Sequence, residues 1–111
     1  MFDVELVEHL LIECAKLEVD ISYSDALVAL GTPFTRPKMR KLCRVLGEVD
    51  ARASENGEPE LAVLVVRTSD RLPGDGWWAS RTSYRGERTG EQAEKYVRRH
   101  QRKAYEYWRT V

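Results

Sequence analysis

Between positions 61 and 66 the chain reads Leu-Ala-Val-Leu-Val-Val, an apolar run without a break. Neither face of such a run can meet water. It is too short for an independent helix and rich in Val, so it reads as a strand buried on both sides. Everything else in 111 residues must supply cover for it, and a chain of this length forms one domain.

The cover comes from segments with helical spacing. Val4, Val7, Leu10, Leu11, Cys14 and Leu17 recur at threes and fours and predict a helix over 3–18, capped by Asp3. Ser22 followed by Asp25 approximates a capping box and opens a second helix. Ala26, Leu27 and Leu30 face inward there, and Gly31 with Pro33 stops it. A third helix is predicted from Pro37 to a point between Val49 and Ala53, with Met39, Leu42, Cys43, Leu46 and Val49 as its buried stripe. Residues 54–59 form a polar loop.

After the strand, Leu72-Pro-Gly-Asp-Gly76 predicts a tight turn, and Trp77 and Trp78 cap the core behind it. Residues 79–90 read as a mobile loop, and a C-terminal helix over 91–108 closes the chain. The expected fold is therefore α+β: a single winged helix-turn-helix-like domain with an additional C-terminal helix.

The net charge is zero, but its distribution is uneven. Residues 1–20 sum to −5, 33–44 to +5, 48–60 to −4 and 80–111 to +5. The basic segment 33–44 contains no acid. Its Arg36, Lys38, Arg40, Lys41 and Arg44 lie on the third helix, the one that a helix-turn-helix places in the major groove. A neutral protein with such a local face can still attract a polyanion. Arg98, Arg99, Arg102 and Lys103 form a possible secondary strip on the last helix. For both basic segments the plain alternative is a solvated helix face.

Little points to catalysis. Cys14 and Cys43 have no metal-ligand neighbours and read as small buried hydrophobes in a reducing cytoplasm. His9 and His100 lack partners at ligand spacing. Asp70, Asp75, Glu58 and Glu60 surround the glycine turn, where acids are ordinarily turn formers. No metal site, cofactor, signal peptide or membrane span is expected.

The order Ser22-Tyr23, Gly31, Pro33, Arg40-Lys-Leu-Cys-Arg-Val-Leu46, Val65-Val66 resembles the DNA-binding domain of the O6-alkylguanine-DNA alkyltransferases and alkyltransferase-like proteins. The resemblance implies a winged helix over residues 4–78. It also implies that Tyr23 contacts a phosphate and helps turn out a nucleotide, while Arg40 fills the vacated stack. Ala62, Val63 and Leu64 stand where that family has Cys, His and Arg. No thiolate is present there to accept an alkyl group, so alkyl transfer is excluded. The expectation is a small non-enzymatic protein binding DNA, or RNA, through Tyr23 and the five basic residues of the third helix. The alternative is a protein-interaction module that uses Trp77, Trp78 and the C-terminal helix.

Overall fold

The computed structural model describes residues 3–81 and 83–109. Its elements are α1 (Val4–Lys16), β1 (Ile21–Ser22), α2 (Tyr23–Ala29), α3 (Arg36–Glu55), a 3-10 turn (Ala62–Leu64), β2 (Val65–Val66), α4 (Asp75–Ala79) and α5 (Gly90–Arg109).

The helix starts follow local chemistry. The Asp3 carboxylate accepts from the Glu5 N–H at 3.0 Å, and Ser22 Oγ accepts from the Asp25 N–H at 3.0 Å. Thr35 Oγ1 caps α3 through the Lys38 N–H at 3.2 Å, so α3 begins one residue before Pro37. It then runs to Glu55, beyond the expected end. Gly31 takes φ +82° after α2, the left-handed conformation expected of the stop.

The fold class differs from the winged helix expected. Among the described residues 64% are helical and 4% are in strands, with five α-helices and one two-stranded parallel sheet. Ile21 pairs with Val65 and Ser22 with Val66. No strand returns antiparallel to β2 among the described residues, so there is no wing. Two causes account for the difference. First, continuous apolarity signals burial on all sides and cannot by itself distinguish a strand from a covered turn. Here α1, α3 and α5 all pack on the 3-10 turn, and Leu61 through Val66 are all buried. The Asp50 carboxylate holds the Leu61 and Ala62 N–H groups, which winds the first half of the run into 3-10 and leaves only Val65–Val66 extended. Second, the glycine-rich turn starts a helix instead of a hairpin: Gly74 is the N-cap of α4.

The core joins Val7, Leu11 and Ala15 of α1 with Leu42, Leu46 and Val49 of α3 and Ala93, Val97 and Ala104 of α5. Ion pairs tie the periphery: Arg52 to Glu8 at 3.6 Å, Arg109 to Glu18 at 3.6 Å, and Arg71 to Asp20. One buried polar spoke reaches the centre, where Gln101 Nε2 donates to the Val63 carbonyl at 3.1 Å. No helix among the described residues is long and apolar enough to cross a membrane.

Candidate functional site

Two features of α3 are candidates: a basic flank at its N-terminal end, and a cleft along the side facing α4. The flank comprises Arg36, Arg40, Lys41 and Arg44, all exposed, and the half-buried Lys38. Their positions follow from the buried stripe, because Leu42, Leu46, Val49 and Ala53 take the inward face and leave the outer face to the cations. None of the five forms an ion pair among the described residues. The acids of 48–60 do not cover them. Glu60 accepts from Trp77 Nε1 at 2.9 Å and from Arg81, and Asp50 is committed to backbone N–H groups.

Tyr23, expected to anchor a phosphate, is buried. Its hydroxyl accepts from the Gly74 N–H at 3.0 Å. Burial raises its pKa, against the opposing pull of that N–H. The structure thus places the Tyr23 hydroxyl in the packing between the start of α2 and the N-cap of α4, engaged by the Gly74 N–H.

The secondary strip on α5 is divided. Arg98 is half-buried and donates to Gln101 Oε1 at 2.9 Å and to the Arg71 carbonyl at 3.4 Å. Arg99 lies 5.9 Å from the Tyr96 ring centroid, while Arg102 and Lys103 are exposed. Trp77 and Trp78, the expected partner-contact pair, are 8% and 2% exposed and belong to the core. Trp77 packs edge-on to Trp78, Tyr96 and His100 beneath the Arg81 guanidinium, which sits 4.2 Å from its centroid. Within the segment 79–90, the Tyr84 ring packs at a tilt against Trp78 and Tyr96.

The cleft has a volume of about 400 Å³. One wall is Met39, Cys43, Gly47 and Asp50 of α3; Gly76, Trp77 and Ser80 face it from α4 and its C-cap, over a floor that includes Tyr23, Leu46 and Ala62. Cys43, expected in the buried stripe, is on the exposed side of α3, whereas Cys14 is buried as expected. Partial desolvation in the cleft raises the Cys43 thiol pKa. Asp50 Oδ1 accepts from Leu61 N–H at 2.8 Å and Ala62 N–H at 3.0 Å, and burial raises its pKa against those two hydrogen bonds.

Gly47 and Gly76 have ordinary backbone angles, and a Cβ on either would meet no atom within 4 Å. Packing therefore requires neither glycine, and in the interior of α3 Gly47 costs about 1 kcal/mol relative to alanine. Sequence reasoning passed over Asp50 and Gly47. The available signal was a glycine in the interior of a strongly periodic helix, with an acid one turn later. Among the described residues no group of three or more His, Cys, Asp or Glu is placed to hold a metal. In comparisons with protein families, curated proteins and solved structures, nothing matches the chain.

Proposed function

We propose that this is a small non-enzymatic nucleic-acid-binding protein that contacts a phosphate backbone, of DNA in the first instance, through Arg36, Lys38, Arg40, Lys41 and Arg44. The observation that supports this reading is the absence of any ion pair to these five cations among the described residues, while Glu8, Glu18, Asp20 and Glu60 pair with other cations. Unpaired Lys and Arg on one helix end release counterions from a polyanion when they bind it. Of the two roles implied by the alkyltransferase resemblance, that of Arg40 rests on an exposed side chain and that of Tyr23 on a buried one. A reducing cytoplasm suits the two free thiols.

The test is duplex and single-strand binding at two salt concentrations. Affinity should fall steeply with salt. Joint replacement Arg40→Ala with Arg44→Ala should make the log–log salt slope shallower by about 2. Absence of binding to either form at low salt overturns the reading.

A further inference from the structure

We propose that the cleft between α3 and α4 is a binding site for a small organic cation: a primary amine on an aromatic or branched apolar body. The inference does not depend on nucleic-acid binding and uses a different side of α3.

Three observations carry it. The first is size. At about 400 Å³ the cleft lies within the range of small-ligand pockets, roughly 300–1,000 Å³, and is too small for a folded partner's surface.

The second is that the opening is maintained against helix propensity. Gly47 and Gly76 stand on opposing walls, both in helices, and a Cβ on either would enter empty space. Alanine would suit the interior of α3 better at position 47. What glycine preserves at these positions is the volume between the walls.

The third is chemistry. The body of the cleft is apolar and aromatic, with Met39, Leu46 and the Trp77 ring among its lining. The only charged side chains lining it are Asp50 and Asp75. Arg40 and Arg44 lie on the neighbouring flank and are not part of the lining. Asp50 Oδ1 is occupied by two backbone N–H groups, and Oδ2 makes no hydrogen bond among the described residues. An ammonium at Oδ2 would supply three donors and neutralise a carboxylate that burial disfavours. An anion would meet two carboxylates and no lining cation.

Cys43 provides a reporter within the cleft, and buried Cys14 an internal reference. The experiment follows alkylation of the intact protein by N-ethylmaleimide, resolved by peptide mass spectrometry. The probes are 2-phenylethylamine, the neutral 2-phenylethanol and the anionic 3-phenylpropionate. The amine should slow Cys43 alkylation saturably, at concentrations at least about fivefold below those the alcohol needs; that ratio corresponds to one exposed-to-half-buried charge pair. The carboxylate should give no protection, and Cys14 should be unaffected. Gly47→Leu should abolish the protection. If that variant loses its helical circular dichroism, Gly47→Ala decides the matter: it keeps the fold, and protection should weaken at least about threefold by loss of volume. Equal protection by amine and alcohol, no protection by any probe, or undiminished protection in the Gly47 variants overturns the proposal.

Discussion

The Tyr23 hydroxyl and the Gly74 N–H meet at 3.0 Å, fifty-one residues apart in sequence, and join the start of α2 to the N-cap of α4. A Cβ on Gly74 would stand 3.0 Å from that oxygen. Tyr23→Phe leaves a buried N–H without an acceptor and should cost about 1–3 kcal/mol in urea or thermal unfolding. Gly74→Ala should also destabilise, by pressing on the same oxygen. The two should be less than additive, because without the hydroxyl the nearest ring atom is 3.5 Å from the new methyl. A purely structural Tyr23 further requires that Tyr23→Phe leave polyanion affinity within about twofold under conditions where the variant stays folded.

That contact shows what the sequence could and could not disclose. Local signals were legible: Asp3, Ser22 and Gly31 mark helix ends because capping is decided within a few residues. The basic end of α3 was legible for the same reason, since its spacing alone sets it opposite Leu42, Leu46 and Val49. The long-range contacts were not. Leu61–Val66 carries the same apolarity whether it runs as a strand or winds into 3-10, and the decision rests with Asp50, eleven residues upstream. In the sequence Tyr23 reads equally as a phosphate contact or as a ring packed at the start of α2, and only the fold brings Gly74 against its hydroxyl. Cys43 lies at the edge of the buried stripe, where one step of helical phase decides exposure.

Asp50 should act through hydrogen bonding more than through charge. Asp50→Asn keeps an acceptor for Leu61 and Ala62 and removes a partly buried charge, so stability at neutral pH should stay within about 1 kcal/mol of the parent. Asp50→Ala frees both N–H groups and should cost about 2–3 kcal/mol. The raised pKa of Asp50 works in the same direction. A carboxyl that binds its proton more tightly in the folded chain contributes stability present below the ordinary Asp range and lost as pH rises through the folded pKa. Comparing acid-limb melting curves of the parent and Asp50→Asn measures this: the parent should gain on the variant as pH falls.

His100 should give a pH dependence of opposite sign. Burial lowers its pKa; Glu60 opposes the shift, and Arg81, Lys103 and Arg99 add to it. Its ring is 4.7 Å from Tyr96 and 6.0 Å from Trp77, centroid to centroid. As pH falls below about 6.5, the unfolded chain takes up this proton before the folded one. Stability from neutral His100 is therefore present above about pH 6.5 and lost as pH falls through its folded pKa. His100→Gln should flatten the decline in melting temperature between about pH 7 and 5. An unchanged slope would remove His100 from the account.

Gly47 yields the prediction that best separates stability from use. It lies eleven residues into α3, between the buried Leu46 and Val49 on the inward face and the exposed Arg44 and Glu48 outside. Replacing it with alanine adds a methyl where no atom lies within 4 Å and removes a helix-interior glycine. Gly47→Ala should therefore raise stability by about 0.5–1 kcal/mol, read as a shift in urea midpoint at constant m-value. Were Gly47 required by packing, the same substitution would destabilise instead. Gly74→Ala, with Tyr23 Oη 3.0 Å away, should show that loss in a parallel measurement. A stabilised Gly47→Ala beside a destabilised Gly74→Ala would mean that the packing requires Gly74 and does not require Gly47.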